Sequence, residues 1–319
     1  MSIVNILLLI LGYFLLLLST RMIDAGGISM MRRKATSDAQ ERIFSWFAGS
    51  IVPFLGIGVV GGIYGLGNMV FAAALAAGVL QVLLVYGMLG MAGSFRLAGN
   101  ALRDLVILLV CVVILVLFTN YTWSKGHPDS TIGRGAAVVL LILAVLFALW
   151  TMPYYMGKSR TLQRPPAYDF IPSLVFTVVG IAFAGLGSVL LLDNTAKLTY
   201  DLKVGQGILG FAIIGTGLIL PEYIRTGRRY WMNTKKPVAI RGTLATGNLG
   251  LLLMIGMAAV ISPFKIMFGE AVLLLACVGA IAVFGAAFYL NRGVGRVKAA
   301  IFLAVYAAIF LLYMNFSLR

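Results

Sequence analysis

Polar residues interrupt this chain rarely, and they divide it into ten apolar runs long enough to cross a hydrocarbon core about 30 Å thick. The runs lie at 3–24, 44–65, 69–93, 103–119, 135–156, 170–193, 205–224, 242–262, 269–290 and 299–315. This pattern predicts ten transmembrane helices and an all-α polytopic membrane protein. Charge orients the helices. The loops after the odd-numbered helices carry 19 of the 25 Lys and Arg residues, so those loops are expected on the cytoplasmic side and both termini outside.

The second half repeats the first. A shift of 169 positions lays Leu75-Ala-Ala-Gly78-Val-Leu80 on Leu244-Ala-Thr-Gly247-Asn-Leu249, Gly87-Met88 on Gly256-Met257, and Phe95 on Phe264. With small loop corrections Cys111 meets Cys277, Gly133-Arg134 meets Gly295-Arg296, and Gly49-x-Ile51-x-Pro53-Phe54 meets Gly217-x-Ile219-x-Pro221-Glu222. Five helices per copy is an odd number, so the second copy enters the membrane upside down. The expected organisation is one five-helix repeat over 1–158, a polar connector over 159–169, and an inverted five-helix repeat over 170–319. Loop charge agrees with the inversion. The stretch Gly61 to Asn68 is uncharged, while its counterpart holds Arg225, Arg228, Arg229, Lys235, Lys236 and Arg241.

Composition narrows the setting. With 61% hydrophobic and 11% charged residues, the chain needs lipid as its solvent. The first run has no basic residue ahead of it, and its cations begin at Arg21 after it, so it reads as a spanning helix and not as a secretory signal. The expected location is the plasma membrane, in the sense of a bacterial or archaeal cytoplasmic membrane. A net charge of +15 on the cytoplasmic face reads as positive-inside topology and contact with anionic lipid, not as nucleic-acid binding. The six cations from Arg225 to Arg241 form the basic surface expected to meet that lipid or a protein partner. Cys111 and Cys277 lie in apolar runs and read as small packing residues, with no disulfide framework.

Chemistry inside the membrane is sparse. Gly49 with Pro53, and Gly217 with Pro221, place a helix break at matching depths of two antiparallel copies, as at the substrate sites of secondary transporters. At the second break stands Glu222; at the first stands Phe54. Asp24 and Asp193 fall at predicted helix ends, where capping or loop contacts account for them. Asp104 and Glu270 begin the fourth and ninth helices, where a negative charge suits the helix dipole. No catalytic triad, metal-ligand set or phosphate loop is present, which argues against an enzyme, and no cofactor is implied beyond a bound monovalent cation.

Three stretches of the second half resemble the second alpha-repeat of the cation/calcium antiporter superfamily, the sodium/calcium exchangers. They are Gly185-Leu-Gly-Ser-Val-Leu-Leu-Leu-Asp193, Gly217-Leu-Ile-Leu-Pro-Glu222 and Leu244-Ala-Thr-Gly-Asn-Leu-Gly-Leu-Leu-Leu-Met-Ile-Gly256. The run from Asn291 and Tyr306 is similar to that family's last two helices. The resemblance implies ten helices in two inverted repeats and a cation site between them. The chain also departs from the family pattern. Where the family has Gly-Thr-Ser-x-Pro-Glu in both repeats, this chain has Gly217-Leu-Ile-Leu-Pro-Glu222 and Gly49-Ser-Ile-Val-Pro-Phe54. The family's Gly-Ser-Asn-x-x-Asn/Asp run is replaced by Ala76-Ala-Gly-Val-Leu-Gln81 and Ala245-Thr-Gly-Asn-Leu-Gly250.

What survives is one acid, Glu222, with Ser50, Gln81, Thr246 and Asn248 as neutral oxygens. A calcium ion takes about six to eight oxygens, usually with several carboxylates, so this set suits a monovalent cation or a proton better. Two readings of Glu222 stand: an ion ligand, or an interfacial partner of Arg225 one turn on. Two functions follow from them. The chain is a divergent secondary transporter of the cation antiporter type, or it is a non-transporting scaffold or accessory subunit of a larger membrane complex that kept the fold and lost the site.

Overall fold

The two longest helices, α1 (Ile3–Arg32) and α6 (Phe170–Leu202), lie antiparallel along a seam of small residues. Gly12 stands against Gly187, Ser19 against Gly180, and Gly26 against Ser173. Each set recurs at every seventh position, so a minimal side chain returns to the contact face every second turn. A Cβ added to Gly187 would lie 2.8 Å from the Gly12 carbonyl oxygen, and one added to Gly180 would lie 3.1 Å from that of Ser19. Lipid gives helices no hydrophobic reason to associate, so dispersion contact at this backbone distance holds the pair. The other faces carry Ile3, Leu7, Ile10 and Phe14 on α1 and Val175, Val178 and Ile181 on α6, all exposed to the bilayer. The structure is a computed structural model and describes residues 3–33, 40–41, 43–44, 47–96, 101–123, 130–156, 165–220, 223, 243–290 and 293–317.

Both helices run beyond their predicted ends at 24 and 193, α1 along the seam. Gly26, Gly27 and Ser29 stay buried, and the Ser29 hydroxyl both donates to the Tyr168 carbonyl (3.0 Å) and accepts its N–H (2.9 Å). Asp24 and Asp193 are therefore interior helix positions and cap nothing. Asp193 pairs instead with Lys197 one turn on, at 2.6 Å. Lys203, in the left-handed conformation, closes α6 by donating its N–H to the last carbonyls.

At the centre, α3 (Gly67–Ala92) crosses α8 (Thr243–Ile261) where Gly78 meets Gly247. A Cβ on Gly78 would come 3.1 Å from the Gly247 carbonyl oxygen and 2.8 Å from Leu251 Cβ. Two shorter elements flank the crossing. α2 is a π turn at Phe47–Ile51 that runs into Val52–Ile63, with Pro53 in the first α turn, and it packs on α8 through Gly58 and Gly62. α7 (Gln206–Leu220) contains a π turn at Gly210–Gly215 and packs on α3, with Gly210 against Met69 and Gly215 against Ala73. A further π turn, Ala76–Leu80, lies within α3 itself.

Around this centre stand α4 (Ala101–Trp123), α5 (Arg134–Met156), α9 (Phe268–Leu290) and α10 (Arg296–Ser317). A Cβ on Gly87 of α3 would lie 2.7 Å from Leu303 Cγ and 3.3 Å from the Ala299 carbonyl oxygen; one on Gly256 of α8 would lie 2.9 Å from Leu141 Cγ and 3.4 Å from the Ala137 carbonyl oxygen. Cys111 and Cys277 are buried and free. Short ladders tie the loops, which hydropathy did not predict. β1 (Phe95–Arg96) pairs antiparallel with β4 (Gly293–Val294), and β2 (Ser130–Ile132) with β3 (Phe264–Ile266). The chain is thus helical across the membrane with small strand pairs at its ends. Among the described residues, seven helices are long and apolar enough to cross a membrane, and Val52–Ile63 and Gln206–Leu220 are shorter apolar helices.

The seam makes a test within one helix. Gly185 has open space where a Cβ would go, whereas Gly187 faces the Gly12 backbone. In purified protein, Gly187→Ala is expected to lower the melting temperature, by a destabilisation of about 1–3 kcal/mol. Gly185→Ala is expected to leave it unchanged or raise it, because a helical glycine is replaced without a clash. Equal effects from the two variants would remove the seam from the account of stability.

Candidate functional site

One buried polar side chain of α3 reaches the α3–α8 crossing. Gln81 follows the π turn Ala76–Leu80 directly and is 1% exposed. Its amide nitrogen occupies the space a side chain at Gly247 would need. Thr246 is buried beside that contact. Asn248 is also fully buried, but it turns the other way: its Nδ2 donates to the Asp104 carbonyl oxygen at 3.0 Å, while Oδ1 has no hydrogen-bond partner among the described residues. The Asp104 carboxylate accepts both Nε (3.1 Å) and Nη2 (2.8 Å) of Arg103. Gln81 therefore lies against Gly247, the chain neighbour of Thr246, and Asn248 is an anchor between α8 and α4.

Phe54 decides the opposite side of the crossing. Its ring is 3% exposed and lies over Gly250, so a Cβ there would stand 3.0 Å from Cε2 and Cζ. Gly250 holds the position equivalent to Gln81, and here carbon fills the space that a polar side chain would take in that position.

Two tyrosines that the sequence reading did not assign to the site bracket the α7 segment before Pro221. The Tyr13 hydroxyl of α1 donates to the Ile213 carbonyl in the π turn, and its ring lies against Gly217. The Tyr306 hydroxyl of α10 lies 3.0 Å from Thr216 Oγ1. A widened turn leaves carbonyls without their regular partner, and a phenol from a neighbouring helix satisfies one in a medium without water. The available signal was a single hydroxyl-bearing residue in the largely aliphatic run from Ile3 to Leu18.

Gly49 and Ser50 sit in the π turn of α2, and Pro53 is buried at the start of the following α turns. Pro221, Glu222 and the basic residues Arg225, Arg228, Arg229, Lys235, Lys236 and Arg241 lie outside the described residues. Among the described residues, no three of His, Cys, Asp and Glu gather as metal ligands would.

No family model matches the chain. A stretch of 151 residues, 47% of the chain, is 21% identical to an uncharacterised membrane protein of Methanocaldococcus jannaschii and covers 46% of it. Over 210 residues, 62% of the chain, it is 21% identical to the inner membrane protein YrbG of Escherichia coli and covers 62% of that protein. The chain spans about half to three fifths of the length of these curated relatives. Among solved structures, the sodium-calcium exchanger NCX_Mj soaked with 2.5 mM Na+ and 0.1 mM Ca2+ matches with a TM-score of 0.58 at 17% identity, covering 98% of this chain and 99% of that one. The same exchanger soaked with 100 mM Na+ and 10 mM Sr2+ matches with a TM-score of 0.59 at 17% identity and the same coverage. The resemblance carried by Gly217 to Glu222 and Leu244 to Gly256 thus extends along the whole chain as a likeness of fold: this is a helical membrane protein with the sodium/calcium exchanger fold, divergent in sequence.

Proposed function

We propose that the chain is a secondary transporter of the cation antiporter type that moves a monovalent cation or a proton through a site centred on Glu222. The observation that carries this reading is the Phe54–Gly250 contact, taken together with the repeat. Several contacts occur twice under the alignment of the halves. Gly87 with Ala299 and Leu303 corresponds to Gly256 with Ala137 and Leu141, and the β1–β4 ladder corresponds to β3–β2. At the centre, Gly78 and Gly247 map onto each other. These pairs support two inverted five-helix repeats, 1–158 and 170–319, joined by 159–169, with ten spanning helices. Under the same relation Phe54 on Gly250 becomes Glu222 on Gln81. One half of the site is closed by an aromatic ring, and on this reading the other would set a carboxylate opposite a carboxamide.

That half-site suits one charge. The Glu222 carboxylate, the Gln81 amide oxygen, the hydroxyls of Thr246 and Ser50, and backbone carbonyls released at Pro221 can surround a monovalent cation; a divalent ion would lack its second carboxylate. An unpaired carboxylate at membrane depth is costly when ionised, which favours a bound cation or a proton on it. Transport would proceed by rocking of one repeat bundle against the other, alternately opening the Gly78–Gly247 crossing to each side. Loop charge supports a bacterial or archaeal cytoplasmic membrane with both termini outside, and Arg225 to Arg241 against anionic headgroups on the inner face.

A second reading is favoured by the same aromatic residues. Phe54 over Gly250 places carbon where a polar side chain would stand, and Tyr13 fills the space beside Gly217, as in an accessory subunit or scaffold that retained the fold without the site.

In protein-reconstituted vesicles carrying internal pH and alkali-ion reporters, a Na+ or K+ gradient is expected to drive counter-movement of protons or the other ion. Glu222→Gln is expected to reduce this to the level of protein-free vesicles, and Gln81→Ala to reduce it by about tenfold or more. Flux that persists in Glu222→Ala removes that residue from the site, and wild-type flux equal to that of empty vesicles favours the scaffold.

The Phe54–Gly250 packing has its own test. Gly250→Ala is expected to destabilise by about 1–3 kcal/mol. In a Phe54→Ala background it should be nearly neutral, a coupling of about 1 kcal/mol or more in a thermal-unfolding double-mutant cycle. Additive effects would mean that the ring does not fill the Gly250 position.

A further inference from the structure

A second polar site lies away from the central crossing. A cavity of about 700 Å³ opens between the first turns of α3, α7 and α9 and the last turns of α6 and α10, on the face that the charge pattern puts outside. Glu270 lines it. That residue is 4% exposed, and its Oε1 accepts the Tyr313 hydroxyl at 3.2 Å. Its Oε2 has no hydrogen-bond partner among the described residues. Asn68, on the same cavity, also has a buried Oδ1 without a partner. One turn inward from Thr199, on the same face of α6, the buried Thr195 hydroxyl is unpartnered too.

The position of Glu270 in the first turn of α9 satisfies the helix dipole, but the dipole requires neither burial nor a cavity. Its repeat counterpart shows what a merely structural acid looks like here. Asp104 is held by the fork of Arg103. Among the described residues Glu270 has no Lys or Arg within ion-pair distance; Lys203 stands exposed among the residues lining the cavity and makes no ion pair with it. Leaving buried acceptors unmatched is expensive, so the arrangement points to a donor that arrives from outside.

The walls identify the donor. Phe268, Phe316, Tyr200 and Tyr313 line the cavity with Glu270, Asn68 and the buried Ser317 hydroxyl, and Gly207 keeps the floor open, since a Cβ there would run into the Tyr313 hydroxyl and Glu270 Oε1. A bare alkali ion would use a small part of this volume and gain little from apolar walls. A protonated amine brings one positive charge, N–H groups for Glu270 Oε2 and Asn68 Oδ1, and carbon to lie against the aromatic rings. We propose that this cavity binds a protonated primary amine, with the Glu270 carboxylate as the charge partner and Asn68 as the second acceptor. Such an amine can come from a free small molecule or from an ethanolamine lipid headgroup.

The test uses the full chain in nanodiscs of phosphatidylcholine and phosphatidylglycerol, titrated with ethanolamine and followed by calorimetry. Saturable binding is expected, weakened about tenfold or more in Glu270→Gln and also weakened in Asn68→Ala. Melting curves of both variants report whether they fold. Tetramethylammonium, which has no N–H, is expected to bind more weakly, and sodium chloride at matched ionic strength not to compete specifically. Native mass spectrometry of protein taken from discs containing phosphatidylethanolamine separates the sources: lipid retained by the wild type and lost in Glu270→Gln identifies the headgroup, and ethanolamine binding without such retention identifies a free amine. Binding that is unchanged in both folded variants, displacement by sodium alone, or neither ethanolamine binding nor lipid retention would overturn the proposal.

Discussion

Helices in a bilayer gain nothing by hiding apolar surface from lipid that is equally apolar, so the contacts that hold this protein together are those that bring backbones close. Glycine supplies them throughout. It lines the α1–α6 seam, marks the α3–α8 crossing at Gly78 and Gly247, and seats α10 on Gly87 and α5 on Gly256. The central helix α3 can then be almost wholly enclosed by protein. Enclosure in turn makes irregular backbone tolerable at membrane depth. The π turns at Phe47–Ile51, Ala76–Leu80 and Gly210–Gly215 all lie where neighbours pack closely, and Tyr13 provides a hydroxyl to one carbonyl that the regular helix would have satisfied.

The chemistry of the centre follows from which side chains this packing admits. Phe54 and Gly250 form a large–small pair that fills one side with carbon, and Gln81 lies against Gly247 on the other. On the proposed reading Glu222 completes that second side. On that reading the site offers an ion one carboxylate, which suits a single charge better than two. The cavity at Glu270 belongs to a different part of the molecule, where loop-proximal turns of five helices meet, and its chemistry is independent of whether the central crossing transports.

Much of the framework was readable before any coordinates. Gly87 and Gly256, Gly78 and Gly247, and Phe95 and Phe264 align by a constant shift, and each pair occupies equivalent contacts in the fold. The helix ends at 24 and 193 were misplaced, because hydropathy measures lipid compatibility and cannot see that α1 continues along the start of α6 through Gly26 or that α6 runs on to Leu202. The loop ladders were invisible for a related reason: two or three residues pairing across 132 to 199 positions leave no local pattern. Asn248 looked like a ligand in sequence, yet its amide reaches Asp104 on α4.

By itself the sequence determined the solvent, the helical class and the residues that could carry charge inside a membrane, since these depend on the composition of each segment. Tertiary structure decided what each polar side chain meets. Asp104 and Glu270 are interchangeable as acids at helix starts, but one faces an arginine beside it in the chain, and the other faces Tyr313 and an open cavity built by helices far apart in sequence. Phe54 is an apolar residue in an apolar run until α8 presents Gly250 beneath its ring. Burial, pairing and the space left by an absent side chain are properties of what surrounds a residue, and in this protein those surroundings come mostly from the other half of the chain.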